Sequence, residues 1–322
     1  MLATRNVRGY RLPMDPLPRP DVILTHESDL DGLLAAMLCC RLAKAFFGAE
    51  PPVQAFHNDR WRQHSIANPA AWVCDLAFEP RLDRPNWVVI DHHPFDSPPR
   101  QARLIHDPDK SASLLAYELC LGQGLGSEKL DRLVRLSNTA DLFLSEDPEF
   151  ALASDYASLV KSYGFWPLWR LLEADPERLL DHPLLEVTRT KRRVEDPLGL
   201  DWARGHVTPL SGDVALVETL VGNTNLIVHQ LLNEPGQPFA VLLTLHRRAG
   251  GAYLVSLRSR NAAAGPIAVR LQGGGHPNAS GAVLPRSIRS FADAVAYLRQ
   301  ALNPTPAVPP GMNTLERAFD QA

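Results

Sequence analysis

Cysteine is scarce in this sequence, and its spacing excludes two common chemistries. Only Cys39, Cys40, Cys74 and Cys120 occur in 322 residues, with no CxxC pair, so neither a zinc knuckle nor a thioredoxin-type site is indicated. Cys39 and Cys40 fall inside an apolar helical pattern and read as small core residues. Reduced thiols point to the cytoplasm. No run of about 18 apolar residues exists, so no membrane span is expected. The opening MLATRNVRGYRLPMDPLPRP has no apolar h-region and does not read as a secretory signal. No internal repeat is visible. A strong net charge is missing too: the formal value is −3, which gives no global sign of nucleic-acid affinity.

What is present is ordinary globular material. Hydrophobic residues make up 45% and charged residues 21%, enough to build a substantial core, and the length suits two domains of about 100–200 residues each. Charge is unevenly placed. Between His206 and Arg299 there are eight Lys/Arg and four Asp/Glu, so the C-terminal part is locally basic and suits an anionic ligand. A solvated surface would explain the same count.

The element pattern alternates. Asp21-Val-Ile-Leu-Thr25 predicts a buried strand. Leu34, Met37, Leu38, Leu42, Ala45 and Phe46 follow at helical spacing, stopped by Gly48. Ala71–Cys74 and Trp87–Ile90 read as further strands, and helices are expected over 112–122 and 128–140. Short apolar strands alternating with helices predict a parallel α/β sheet. Prolines at 176, 183 and 197 flank a charged segment, Arg189–Arg193, read as a linker or connecting helix. Beyond it, strands are expected at Val214–Val217, Phe239–Leu245 and Tyr253–Leu257, with a Gly250-Gly251 hairpin and a helix over 289–302.

The chemistry signal is where the carboxylates fall. Asp29 and Asp31 follow the first strand. Asp75 closes the second, and Asp91 closes the third, ahead of His92 and His93. In an open parallel sheet, ligands bind beyond the carboxyl ends of the strands. A single aspartate there is usually a helix cap; three such ends plus an Asp-His-His run are harder to explain that way. Crowded carboxylates repel unless a cation lies between them, and carboxylate with imidazole suits Mn²⁺ or Mg²⁺.

These residues resemble a known family. Val89-Ile-Asp91-His92-His93 is similar to the signature of the DHH phosphoesterases. Thr25-His-Glu-Ser-Asp29-Leu-Asp31-Gly32 resembles their first motif, Cys74-Asp75 the second, and Ser137-Asn-Thr-Ala-Asp141 the fourth. Leu257-Arg-Ser-Arg260 and Gly273-Gly-Gly-His276-Pro-Asn-Ala-Ser-Gly281 resemble the DHHA1 domain. The motifs occur in the family's order across residues 21–285, and the subfamily of nano-RNase/pAp phosphatase and RecJ-type enzymes is the nearest group.

The resemblance implies an α/β fold: an N-terminal parallel-sheet DHH domain with helices on both faces, and a smaller α/β DHHA1 domain with a mixed sheet. The implied organisation is an arm at 1–20 within a DHH domain at 1–185, a linker at 186–205, a DHHA1 domain at 206–303 and a tail at 304–322. It implies two Mn²⁺ ions, with Mg²⁺ as the alternative. Asp29 and Asp75 would hold one ion. Asp31, Asp75, His92 and Asp141 would hold the other, with Asp75 shared. Glu27, at the RecJ-like offset, or His26 would complete the first set. Catalytic roles fall to Asp91, which would orient His92, and to His93, which would face the substrate phosphate. Arg258, Ser259, Arg260, Gly274, Gly275 and His276 would bind substrate, the glycines by letting backbone approach it. The implied activity is hydrolysis of phosphate esters in short oligonucleotides or nucleotides, with substrate length limited by closure of the small domain. A homodimer is allowed and a membrane partner is not expected. A cyclic-dinucleotide phosphodiesterase, a pyrophosphatase or exopolyphosphatase, and a non-catalytic nucleotide binder remain open.

Overall fold

A computed structural model describes residues 16–248 and 250–304 of the chain. Most of the expected N-terminal arm and nearly all of the C-terminal tail therefore lie outside the described residues. Residues 16–20 have no regular structure, but Leu17 is buried and Pro18 accepts a hydrogen bond from the Trp72 indole at 2.9 Å. Compactness divides the chain into Met1–Thr190 and Lys191–Ala322.

The first unit is built on five parallel strands: β1 (Val22–His26), β2 (Val53–Phe56), β3 (Ala71–Cys74), β4 (Trp87–Asp91) and β5 (Arg103–His106), in the order 2-1-3-4-5. Alternate residues of the central strands serve opposite faces. Ile23, Trp72, Cys74, Val88 and Ile90 join one core with α1 (Leu30–Phe47) and, further along, helices at Ala112–Leu121, Glu128–Asp141 and Phe150–Tyr163. Val22, Leu24, Ala71, Val73, Trp87 and Val89 join another with Trp61 of the short α2 (Asn58–Gln63) and with Leu76, Phe78 and Leu82. Burial on both faces is why these strands read as unbroken apolar runs. The three helices on the first face are α3 (Ala112–Leu121), α4 (Glu128–Asp141) and α5 (Phe150–Tyr163), followed by α6 (Phe165–Leu171).

This order matters for function. From β1 the chain crosses through α1 to β2 on one side, and all later strands lie on the other. The carboxyl ends of β1 and β3 thus flank the reversal point where such sheets bind ligands.

Residues 186–205 lie almost wholly within one helix, α7 (Pro183–Arg204), which continues through Pro197. The second unit carries β6 (Val207–Pro209), β7 (Val214–Val217), β8 (Val241–Arg247), β9 (Tyr253–Ser259), β10 (Gly274–His276) and β11 (Ala279–Val283), together with α8 (Thr224–Leu232), α9 (Ala264–Arg270) and α10 (Phe291–Leu302). Its six-stranded sheet runs 10-11-9-8-7-6, with β7 and β8 parallel and the other neighbours antiparallel. α9 and α10 cover one face; α8 and the end of α7 cover part of the other. The β8–β9 hairpin turns where Gly251 sits at φ 84°. The mixed α/β architecture matches the expectation from sequence.

Candidate metal centre

Four chain segments deliver polar side chains to the carboxyl edge of the first sheet. His26 ends β1, and Asp29 is the N-cap of α1, its Oδ1 accepting the Gly32 amide at 3.0 Å. Asp75 follows β3, Asp91 ends β4 with His92 and His93 next, and Asp141 ends α4. The groups form three overlapping sets whose ligand atoms lie within 4.8 Å of one another: His26, Asp29 and Asp75; Asp31, His92 and Asp141; Asp75, Asp91, His92 and His93.

The distances show how the sets join. His26 Nδ1 is 2.8 Å from Asp29 Oδ2 and 3.5 Å from Asp75 Oδ2. His92 Nε2 is 3.6 Å from Asp75 Oδ1 and 3.2 Å from Asp141 Oδ2. Asp75 therefore stands between the first two sets. It is 3% exposed, with φ 54°, a left-handed backbone that a non-glycine residue adopts only where surroundings enforce it.

Asp31 is 1% exposed and is held from behind. Its two oxygens accept the Ala112 and Ser113 amides at 2.7 and 3.0 Å. These are first-turn N–H groups of α3, which have no intrahelical acceptor and carry the positive end of the helix dipole. Ser113 Oγ continues the contact to Ser137 at 3.2 Å.

The electrostatics describe a cluster that lacks positive charge. Burial pushes the Asp31 carboxyl up to about 6, and Asp75 adds to it. Burial raises Asp141 well above the carboxylate range, reinforced by Asp31, Asp75 and Asp29. Burial disfavours a charged His26, yet the carboxylates of Asp29 and Asp75 outweigh it and push the imidazole up to about 11. Protons thus stand in for a cation. Asp75 Oδ2 and Asp141 Oδ2 are buried oxygens without a hydrogen-bond donor among the described residues; leaving such an acceptor unpaired costs roughly 1–3 kcal/mol. Hard carboxylate oxygens together with imidazoles suit a divalent cation.

Two roles differ from the expectation. Glu27 is in none of the three sets; its Oε2 lies 3.7 Å from His57 Nε2, and His57 Nδ1 lies 2.6 Å from Ser28 Oγ. The residue that joins Asp29 and Asp75 is His26. The Glu27 amide still bonds Phe56 at 3.0 Å, extending the β1–β2 ladder, and its side chain meets the residue after Phe56. Asp91 holds His93 rather than His92: Oδ1 is 2.8 Å from His93 Nδ1, and Oδ2 accepts the His93 amide at 3.1 Å. Burial opposes protonation of His93, but this hydrogen bond pushes it up to about 9. The His93 carbonyl is also held, by His106 Nε2 at 2.9 Å. His57, His106 and the amides of α3 lie outside the motifs; the Ser111 cap of α3 was the only readable trace of that last contact.

In the second unit, Arg258 of β9 pairs across the sheet with Ala279 of β11, and Ala279 with His276 of β10. Cross-strand partners share a face, so Arg258 and His276 lie in one row with only a methyl between them. Burial lowers Arg258 to about 10, leaving it cationic at neutral pH. Ser259 alternates to the other face. Its hydroxyl accepts the Ala264 amide at 3.1 Å and reaches Asn278 Oδ1 at 3.0 Å, tying α9 to the turn after β10. Arg260 is exposed, 3.4 Å from the Phe239 carbonyl and outside the row. The glycines divide likewise. A Cβ on Gly273 would lie 2.0 Å from the Gly281 carbonyl, and Gly275 sits at φ 134° against Ala279, so both are fixed by packing; only Gly274 faces open space.

The DHHA1 domain family matches residues 217–303. No curated protein matches the sequence. Among solved structures, the pGpG-specific phosphodiesterase PggH from Vibrio cholerae aligns with a TM-score of 0.54 at 15% identity, over 87% of this chain and 98% of that one. An exopolyphosphatase-related protein from Bacteroides fragilis aligns at 0.50 and 17% identity, over 88% and 92% of the two chains. RecJ from Thermus thermophilus, in complex with Mn²⁺, gives 0.49 and 19% over 93% of this chain and 56% of that one. The chain therefore carries a DHHA1 domain in its second unit, and it shares the fold of these structures, with the Asp-His-His run at the end of β4 in the parallel sheet of its first unit.

Proposed function

We propose that the chain is a divalent-metal-dependent phosphoesterase that hydrolyses short oligonucleotides or nucleotides. The observation that carries this reading is the convergence of three strand ends and a helix end on Asp75 and His92, with buried acceptor oxygens left without donors. His26, Asp29 and Asp75 would hold one ion; Asp31, His92 and Asp141, with Asp75 adjacent, would hold another. When bound, such ions supply Lewis-acid stabilisation of phosphoryl oxygens and an activated water.

The chain's own residues do the rest. Asp29 and Asp31 are fixed by amides at helix N-termini, so the ligand set is arranged before anything binds. Asp91 binds Nδ1 of His93 and fixes the orientation of the ring, whose role in this reading is to donate a hydrogen bond to a phosphate oxygen. Arg258 supplies a charged fork suited to phosphate. Losing such a contact costs about 1.5–3 kcal/mol, so Arg258→Ala is expected to raise KM by about 10–100-fold while kcat changes less. Steady-state kinetics beside a melting curve check this, and an unchanged KM in a folded variant removes Arg258 from substrate binding.

The reading is tested by product release in Mn²⁺ against EDTA on pAp, a linear dinucleotide, a cyclic dinucleotide, short RNA, short single-stranded DNA and pyrophosphate. The likeness to PggH puts pGpG first among the linear dinucleotides. Metal-dependent cleavage of a nucleotide supports the proposal. Cleavage of pyrophosphate alone would transfer the chain to a different substrate class, and silence with metal bound would make it a binder.

A further inference from the structure

His276, in the row with Arg258, sits on the least self-sufficient strand of the second sheet. β10 consists of Gly274, Gly275 and His276 and lies at the sheet's edge, paired only with β11. The register His276↔Ala279 leaves a two-residue turn, Pro277-Asn278. Two-residue hairpins favour the primed turns, whose first central residue has positive φ and whose twist matches the strands. Proline fixes φ at about −65°, so Pro277 excludes both primed turns, and Asn278 is not at positive φ either. The unprimed turn that remains splays its strands, so β10 has to be held from outside the hairpin. The holding bonds come from the segment after β9. Asn278 Oδ1 accepts the Ala262 amide at 2.6 Å and the Ser259 hydroxyl at 3.0 Å. The Asn278 carbonyl accepts the Ser259 amide, and the Pro277 carbonyl the Gly265 amide, each at 3.1 Å. Within the hairpin, the Ser280 hydroxyl donates to the His276 carbonyl at 2.6 Å. Ala262 has φ 61°, a left-handed backbone costly for alanine and kept only where surroundings enforce it.

We infer that Asn278 is a positioning residue: its side-chain oxygen ties the β10–β11 turn to the loop after β9 and so fixes His276 in its row with Arg258. One acceptor oxygen meets two donors, the hydroxyl of the last residue of β9 and the amide of a strained residue three positions on. Arg258 precedes the first of those donors, and His276 precedes the turn that carries the acceptor, so a single side chain joins the two strands that bear the row. The backbone bonds of Ser259 and Gly265 survive substitution of Asn278, whereas the grip on Ala262 does not. The inference rests on the reading of that row as the phosphate contact of the proposed activity.

The test is Asn278→Ala in the full chain, read in two ways. Amide hydrogen exchange followed by mass spectrometry needs no ligand: peptides of the β10–β11 hairpin are expected to exchange about fivefold faster, while those of β8 keep the wild-type rate. Calorimetry with pGpG in EDTA, where nothing is turned over, is expected to show an affinity lowered about fivefold to tenfold, the worth of one hydrogen bond. A second variant separates positioning from contact. Pro277→Asn combined with Asn278→Gly supplies a primed turn that suits a two-residue hairpin unaided, and it is expected to recover both the slow exchange and the affinity. Unchanged exchange in Asn278→Ala would overturn the inference, whatever the protein binds. So would a lost affinity that the double variant fails to recover, because Asn278 would then be touching the ligand itself. A wild type that binds no pGpG, with exchange accelerated in Asn278→Ala, would count against the phosphate-contact reading and still support Asn278 as the residue that fixes His276.

Discussion

Asp75→Asn is expected to eliminate turnover while the protein stays folded. Asp75 is the residue that both ligand sets touch: its two oxygens lie 3.5 Å from His26 and 3.6 Å from His92. An amide of the same shape keeps one oxygen acceptor but removes the negative charge and replaces one ligand oxygen with an N–H donor that repels a cation. Loss of a single group aimed at developing charge commonly costs 10²–10³-fold in kcat, and here binding of the ions themselves is weakened, so a loss of at least that size is expected. Fold and function separate for two reasons. Asparagine is, after glycine, among the residues most at ease in the left-handed backbone that Asp75 adopts at φ 54°. Asp75 also raises the Asp31 and Asp141 carboxyls, so neutralising it relieves repulsion in the metal-free cluster even as it weakens attraction to His26 and His92. The melting temperature in EDTA should therefore stay within a few degrees of wild type, and the rise normally produced by Mn²⁺ should vanish. Full activity in Asp75→Asn would rule out the shared-ligand assignment; a collapsed melting temperature would show instead that Asp75 is chiefly structural.

The sequence carried the central strands and the carboxylates that end them because those strands are buried on both faces and leave continuous apolar runs, each closed by a polar residue. It did not carry β2 and β5. Val53–Phe56 and Arg103–His106 are the sheet's edges and half-exposed, so neither a run nor a clean alternation survives. The segment between Pro183 and Pro197, read as a linker or connecting helix, is a helix that continues through Pro197. Asp29, Asp31, Asp75, His92, His93 and Asp141 were legible as a set because the family's motifs name them. The choice between His26 and Glu27 was not, since it depends on which side chain leaves the end of β1 toward β3 rather than toward His57. Nor was the split of the glycine loop into packing residues and one open position, which depends on how closely β11 approaches β10. Contacts that bring residue 31 to residue 113, or residue 93 to residue 106, exist only through tertiary structure.

Metal-free protein is expected to be less stable at pH 8 than at pH 5, and Mn²⁺ to reverse that order. Asp31 binds its proton more tightly in the folded state, at about 6 against an ordinary 3.8, so its contribution is complete below pH 4 and is lost as pH rises through 6. Asp141 shifts in the same direction. His93, at about 9 against 6.5, contributes fully below 6.5 and loses that contribution as pH climbs through 9; His26, at about 11, follows later. Asp29 is lowered and acts oppositely, but only below its ordinary value near 4, outside the window. Between pH 5 and 8 every shifted group in the cluster therefore works in one direction. A divalent ion changes the sign because it replaces those protons: its ligands must be deprotonated to bind, so its affinity grows as the protons leave. At a metal concentration of 100 times Kd, linkage adds about 2.7 kcal/mol, or roughly 5–10 °C for units of this size. Melting curves at pH 5 and 8, each in EDTA and in Mn²⁺, give four numbers. The expected pattern is a small metal shift at pH 5 and a large one at pH 8. An equal shift at both would mean that the ion binds away from these groups, and no shift at either would leave the carboxylates held by protons alone.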